Sequence, residues 1–251
     1  MLIVADVHGA TEALRRIAAR GEPLLVLGDL INFIDYRTNE GIAADVLGKP
    51  FVAELVRLRG GGEHAAAQAH WRDTAAARGV DLPGAFESHV AAAYEEVCAA
   101  LDGAEAYVTY GNVDRPGLLR SSLPPSARFV DAETVVIDGL RIGFAGGGVM
   151  ALGTAGEVSE PEMAAKLDAL GPVDILCTHV PPAVAPLARD VIGGRAKQSG
   201  AVLDYLLANR PAFHYFGDVH QPQASTWRVG ATVCRNVGYF RATGRAVRHR
   251  S

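Results

Sequence analysis

Hydrophobic residues recur along this chain as short runs of three to five residues, each ending at a glycine or a polar residue. The runs are rich in valine, isoleucine and leucine, which is typical of buried β-strands. We predict strands at Leu2–Ala5, Leu24–Leu27, Tyr107–Tyr110, Thr134–Ile137, Ile142–Ala145, Val173–Cys177, Phe213–Phe216 and Thr232–Cys234.

Helical patterns lie between several of these strands. We predict helices at Thr11–Arg20, Ser159–Leu170 and Ser199–Asn209. The second begins with Ser-Glu-Pro-Glu, which combines a capping residue, an early proline and acidic residues at a helix start. Because strands alternate with helices, the pattern indicates an α/β fold.

Residues from about 36 to 104 break this alternation. Three helical segments, Ile42–Arg59, Glu63–Arg78 and Ala85–Leu101, follow one another without a strand pattern between them. No stretch has the composition of a flexible linker. We therefore predict one domain over residues 1–251 with a helical insertion. This insertion either shapes the substrate site or forms a homo-oligomer interface.

Composition narrows the class of protein. With 49% hydrophobic and 21% charged residues, the chain is typical of a globular domain. Its net charge of −4 argues against a stable nucleic-acid partner. Its apolar runs are shorter than the ~18 residues needed to cross a bilayer, and three cysteines are too few for a disulfide scaffold. We expect a cytoplasmic protein without a membrane partner.

Acidic, amide and imidazole side chains follow five of the predicted strands directly. Ligands of α/β sheets bind beyond the carboxyl ends of the strands, so these side chains are expected to converge. Mixed oxygen and imidazole ligands suit divalent metals such as Mn, Fe, Zn or Mg. The candidates are Asp6, His8, Asp29, Asn112, Asp114, His179, Asp218 and His220.

The order of these motifs resembles the calcineurin-like metallophosphoesterases. Asp-x-His, Gly-Asp-x-x-Asn, Gly-Asn, a lone His and Gly-x-x-His follow one another between residues 6 and 220. One such motif would be weak evidence, whereas five in order are specific. The resemblance implies a four-layer α/β/β/α sandwich of two mixed sheets with a centre of two divalent ions. We expect Mn²⁺, with Fe, Zn or Mg as alternatives.

The resemblance also implies a role for each residue. Asp29, Asn112 and Asp114 are the catalytic candidates. The implied metal ligands are Asp6, His8 and His220 for the first ion, Asp29 as the bridge, and Asn112, His179 and Asp218 for the second ion.

Asp218 is a departure from the family pattern, which has histidine at this position. A carboxylate can bind metal, but Asp6, Asp29 and Asp218 together bring a charge of −3, where the usual shell brings −2. We expect this added charge to favour oxygen-preferring metals and to weaken Lewis acidity. The alternative is that Asp218 only accepts hydrogen bonds and the second ion binds weakly or not at all.

Val113 is a second departure, because many members of the family have a histidine there that protonates the leaving group. Losing a general acid typically costs 10²–10⁴-fold in rate, so we expect a preference for esters with acidic leaving groups. We interpret Asp114 primarily as structural support for the site, with a role as the acid as the alternative.

Two functions are consistent with this reading. The first is metal-dependent hydrolysis of a small phosphomonoester or phosphodiester by a hydroxide activated at a dinuclear centre. The second is a binding or scaffold module of the same fold with weak or no catalysis. We expect the arginine-rich tail, Arg241–Ser251, to be solvated.

Overall fold

The computed structural model describes residues 1–78, 82–151, 153–191 and 196–249. None of the helices in these ranges is long and apolar enough to span a bilayer. The strands are β1 (Leu2–Val4), β2 (Leu24–Leu27), β3 (Ala106–Thr109), β4 (Ala127–Phe129), β5 (Glu133–Ile137), β6 (Leu140–Ala145), β7 (Gly148–Val149), β8 (Glu157–Val158), β9 (Ile175–Thr178), β10 (Phe213–Phe216), β11 (Thr226–Val229), β12 (Thr232–Asn236) and β13 (Val247–Arg248). The helices are α1 (Thr11–Ala18), α2 (Ile42–Leu47), α3 (Lys49–Gly60), α4 (His64–Arg78), α5 (Leu82–Leu101), α6 (Pro116–Ser122), α7 (Glu160–Leu170), α8 (Ala185–Ala188), α9 (Gly200–Asn209) and α10 (Phe240–Thr243).

The strands form two mixed sheets, which confirms the predicted α/β class. The first sheet has the order β13-β1-β2-β3-β4, in which β1 to β4 are parallel and β13 is antiparallel. The second has the order β11-β12-β10-β9-β6-β5, with antiparallel strands at both edges. Strands β7 and β8 form a short separate ladder.

Side chains of successive strand residues point to opposite faces of a sheet. In the first sheet, Val4 therefore belongs to a buried cluster with residues of α1 and α5, whereas Ile3 belongs to a cluster with Phe144 of the second sheet. On the other side of the second sheet, Phe216 packs in a cluster with Leu167 of α7 and with residues of α9. Both sheets are thus buried on two faces.

The segments predicted as helices between residues 42 and 101 correspond to α2 to α5, with differences in their bounds. The segment predicted as a single helix, Ile42–Arg59, is divided into α2 and α3 at Gly48, whose φ of 92° no helix accommodates. Helix α5 begins at Leu82, before the predicted start, and Pro83 lies in its first turn. Through Tyr94, α5 joins the cluster beneath the first sheet, so the insertion is continuous with the core.

The prediction of a solvated tail is wrong for the residues that the structure describes. His249 is buried, and the Arg241 backbone N–H donates to the Asp6 carbonyl at 3.1 Å. Farther along, β13 pairs with β1 in the register Val247 to Ile3. The tail is therefore an edge strand of the first sheet. Its apolar pattern was too short to be recognised, as was also the case for β4 and β11.

Candidate metal centre

Polar side chains from both sheets meet where five parallel strands end. The first sheet contributes the residues after β1, β2 and β3, and the second sheet contributes those after β9 and β10. The seven predicted metal ligands that these loops carry are Asp6, His8, Asp29, Asn112, His179, Asp218 and His220. Of these, only Asn112 and His220 are partly exposed. Six of them, all except Asn112, are joined to one another by separations of 3.9 Å or less.

The first group of ligand atoms surrounds the Asp6 carboxylate. Its Oδ1 lies 3.4 Å from His220 Nε2 and 3.9 Å from His8 Nε2. The ligand atoms of these three residues lie within 4.8 Å of one another. Atoms bound to one ion at about 2.1 Å are separated by roughly 3–4 Å, so this group has the spacing of a shared ion.

The Asp29 carboxylate lies between this group and a second one. Its Oδ2 is 3.6 Å from His8 Nε2, and its Oδ1 is 3.5 Å from His179 Nε2. On the far side, His179 Nε2 lies 3.7 Å from Asp218 Oδ1. The ligand atoms of Asp6, Asp29 and His179 also lie within 4.8 Å of one another. The two oxygens of Asp29 thus face different histidines, Oδ2 facing His8 and Oδ1 facing His179.

Two histidines are held with their Nε2 atoms directed into the centre. His8 Nδ1 lies 3.2 Å from the Ile31 carbonyl, and His179 Nδ1 lies 2.8 Å from the Leu27 carbonyl. A carbonyl only accepts hydrogen bonds, so each Nδ1 carries the proton. This arrangement leaves Nε2 available and orients each ring as metal-binding histidines usually are.

Several buried polar atoms of the centre lack a hydrogen-bond partner among the described residues. An unsatisfied buried donor or acceptor costs about 1–3 kcal/mol, so native proteins seldom leave several together without a ligand. All four are nitrogen or oxygen atoms that suit borderline divalent cations. They are His8 Nε2, Asn112 Oδ1, His179 Nε2 and Asp218 Oδ2.

The backbone of the centre is strained in the same places. Non-glycine residues rarely adopt a positive φ, and each such residue costs on the order of 1–3 kcal/mol. Four of the candidate ligands nevertheless have positive φ: Asp6 at 57°, His8 at 41°, Asp29 at 52° and Asp218 at 63°. At each of these four residues the backbone turns sharply just after the strand ends, and the side chain points into the centre.

The glycines of the motifs allow the ligands to approach the backbone closely. A Cβ on Gly111 would lie 2.2 Å from Asp29 Oδ1 and 2.6 Å from His179 Nε2. A Cβ on Gly217 would lie 2.5 Å from Asp6 Oδ2. Any side chain at either position would therefore occupy space that ligand atoms now use.

Opposing charges shift the pKa values inside the centre. Burial raises the pKa of the Asp29 carboxyl, but His179 and His8 outweigh it and the net pKa lies far below the usual range. Burial lowers the pKa of His179, but Asp29 and Asp218 raise it to about 10. His179 therefore carries a proton at neutral pH, and a bound cation would take the place of that proton.

Lys197 is a functional candidate that the sequence analysis missed. Its ammonium forms an ion pair with the Asp218 carboxylate and donates to the Asp218 carbonyl at 3.0 Å. Burial lowers the pKa of Lys197, but Asp218 outweighs burial and the net pKa is raised. The only sequence signal for Lys197 is that lysine is rare in this chain, since lysine accounts for three of the 24 basic residues.

This ion pair corrects the charge expected for the centre. The three carboxylates, Asp6, Asp29 and Asp218, remain, but the Lys197 ammonium reduces their summed charge from −3 to −2. That value equals the charge of the usual two-carboxylate shell. The added negative charge of Asp218 is therefore balanced by Lys197 in this structure, and the expected shift in metal preference stays a prediction.

Asp114 supports the loops that carry the ligands. Its Oδ1 accepts from the Leu30 N–H at 3.1 Å and from the Tyr94 hydroxyl at 3.3 Å, and its Oδ2 accepts from the Gly111 N–H at 2.9 Å. Burial and the nearby Asp29 raise its pKa to about 7. Because both oxygens are engaged by neighbouring loops, the contacts favour the supporting role over that of a proton donor.

The partly exposed side of the centre carries aromatic and cationic groups. The Tyr239 ring stacks on His220 with centroids 3.9 Å apart, and the Arg37 guanidinium lies 5.6 Å from the Tyr239 ring. Arg241 donates to the His8 carbonyl. Tyr239 lies in a segment that carries none of the recognised motifs, so sequence reasoning did not connect it with the centre.

Comparison with known proteins gives structural similarity alone. No family model matches the chain, and no curated protein matches it. One solved crystal structure is 13% identical and aligns over 95% of this chain and 90% of its own, with a TM-score of 0.60. The crystal structure of TT1561 of Thermus thermophilus is 12% identical and aligns over 98% of this chain and 96% of its own, with a TM-score of 0.54. At such low identity the similarity extends to the fold and not to function.

Proposed function

We propose that this chain is a metal-dependent phosphoesterase of the calcineurin-like type, acting on a small phosphomonoester or phosphodiester. The observation that carries the proposal is the convergence of six predicted ligands, Asp6, His8, Asp29, His179, Asp218 and His220, through separations of 3.4–3.9 Å. Four buried atoms of the predicted ligands also lack a partner among the described residues. The same proposal includes the four-layer α/β/β/α arrangement. Its support is the burial of three apolar clusters, one between the sheets and one beneath each outer face.

The donor sets fit two divalent ions. One would be held by Asp6, His8, Asp29 and His220, and the other by Asp29, Asn112, His179 and Asp218. When bound, ions of the Mn²⁺ class, or alternatively Fe, Zn or Mg, supply Lewis acidity and lower the pKa of water near them.

The chain's own residues orient and shield this chemistry. The Val113 N–H donates to Asp29 Oδ1 at 3.1 Å and fixes the shared carboxylate. His220 lies at the partly exposed side, which is where a substrate can reach the centre. The Arg37 guanidinium lies at that side, 5.6 Å from the Tyr239 ring, and its positive charge favours a phosphate group there. Arg241 pairs with Asp35 at 3.0 Å. Val113 has no proton to give a leaving group.

The test is a hydrolysis screen of the full chain in Mn²⁺. The substrates are p-nitrophenyl phosphate and bis(p-nitrophenyl) phosphate, whose leaving group is acidic and needs no donated proton. We expect hydrolysis of at least one substrate and a loss of at least about 100-fold in Asp29→Asn, because the shared carboxylate is gone. Asp168→Asn, which changes an exposed carboxylate of α7, should retain the wild-type rate.

A folded, Mn²⁺-loaded wild type that hydrolyses neither substrate would contradict the proposal. That result would favour the binding or scaffold module instead. An Asp29→Asn variant as active as the wild type would also contradict it, because any hydrolysis would then arise elsewhere.

A further inference from the structure

Asp218 already has a cationic partner. Lys197 reaches it from the loop before α9, and its side chain is 36% exposed whereas that of Asp218 is 1% exposed. The ammonium contacts two oxygens of the same residue, the carboxylate Oδ1 and the backbone carbonyl. The ammonium is thus held against Asp218 by two contacts, while part of the lysine side chain remains exposed.

The contact involves the oxygen that faces the second group of ligands. Asp218 Oδ1 is the atom that pairs with Lys197, and it is also the atom 3.7 Å from His179 Nε2. A divalent ion bound at this oxygen would share it with the ammonium, and an ion bound at the unpartnered Oδ2 would lie on the same carboxylate as the ammonium. Like charges at such short range oppose each other strongly inside a protein.

In the first group, Asp6, His8 and His220, no lysine among the described residues forms an ion pair with the carboxylate. The ion pairs of Asp6 there are with the two imidazoles, His8 and His220. A neutral imidazole is a metal ligand and offers no competing fixed positive charge. The two halves of the centre therefore differ in charge although each presents imidazole and carboxylate ligands.

We propose that Lys197 competes with the second divalent ion for Asp218, so that the centre binds one ion tightly and the second at least tenfold more weakly. The inference rests on the proposed metal centre. With one ion bound beside Asp6, the ammonium supplies the positive charge on the His179 side. Lys197 is thus a positioning residue that sets how many ions the centre holds.

A purely supporting role for Lys197 makes the opposite prediction. If the lysine only held Asp218 in place for a metal, its removal would free that side chain to move. The second ion would then bind more weakly. The direction of the change in second-ion affinity therefore separates the two roles.

The experiment measures Mn²⁺ binding to the metal-free full chain by calorimetry, with electron paramagnetic resonance to distinguish single from coupled ions. The wild type should show one tight ion and a second at least tenfold weaker. In Lys197→Met and Lys197→Gln, the second ion should bind at least tenfold more tightly, with first-ion affinity within about threefold. Lys197→Arg keeps the charge and should resemble the wild type.

Lys49→Met, which changes a lysine of α3 that pairs with Glu40, is the matched control and should leave both affinities unchanged. Circular dichroism establishes that each variant is folded. Two equally tight ions in the wild type, or a weaker second ion in both neutral variants, would overturn the competition. A folded wild type that binds no Mn²⁺ would overturn the metal centre itself, and with it the proposed function.

Discussion

At the scale of single residues, the centre also depends on residues that have no metal-binding or reactive side chain. Gly111 has no side chain, and this lets Asp29 and His179 lie against its backbone. Its N–H also donates to Asp114, which ties the loop after β3 to the loop after β2. Ligand spacing is therefore set as much by the glycine as by the ligands themselves.

Gly111→Ala should disrupt metal binding, because the added Cβ would lie 2.2 Å from Asp29 Oδ1. We expect Mn²⁺ affinity to fall at least tenfold, which equals about 1.4 kcal/mol. Calorimetry on the folded variant provides the measurement. Gly117→Ala, in α6, meets no atom within 4 Å and serves as the control. Unchanged affinity in Gly111→Ala would show that the ligands do not need this close approach.

At the scale of elements, α7 links the second sheet to the loop that bears Asn112. Its Lys166 pairs with Asp131 at 2.9 Å, donates to the Gly146 carbonyl at 3.0 Å and also contacts the Tyr110 hydroxyl. Tyr110 lies two residues before Asn112. The helix thus helps to hold one wall of the centre, although it carries none of the ligands.

Ser159→Ala should weaken α7, because Ser159 and Glu162 form a reciprocal capping box at its first turn. Loss of such a cap costs about 1 kcal/mol, and at this chain length that lowers Tm by roughly 2–4 °C. Thermal unfolding measures the change. Ser121→Ala, in an exposed position of α6, should shift Tm less. Equal shifts in both variants would show that the cap contributes nothing specific.

At the scale of the whole molecule, stability depends on pH through groups buried far from solvent. His214 of β10 is fully buried, and its Nε2 lies 2.8 Å from the Thr178 hydroxyl. Burial lowers its pKa to about 3. Because the unfolded chain has a histidine pKa near 6.5, protons bind the unfolded state preferentially in acid.

The contribution of His214 is therefore fully present above about pH 6.5 and is lost as pH falls toward about 3. Between pH 7.5 and 5, the free energy of unfolding should fall by about 2 kcal/mol more in the wild type than in His214→Gln. Urea unfolding with a metal chelator measures this difference. His89→Gln, at an exposed position, is the control. Parallel pH profiles for the wild type and His214→Gln would contradict the assignment.

Local pattern was sufficient for strands whose own residues are mostly apolar. The strand at Leu24–Leu27 and the strand at Phe213–Phe216 form with their predicted bounds, although both pair with strands that are distant in the chain. The helix predicted at Ile42–Arg59 divides at Gly48, a break that apolar spacing does not register. Strand β13 was missed, because two residues become a strand only by pairing with β1.

Which candidate ligands follow which strands can be read from the sequence, since strand, turn and candidate ligand are adjacent in the chain. How these side chains meet depends on the tertiary structure. Asp29 and His179 are 150 residues apart and lie together because the two sheets end at one place. Lys197 has no motif, and its role exists only through the ion pair with Asp218. Such contacts depend on the packing of whole sheets, which no local pattern of side chains encodes.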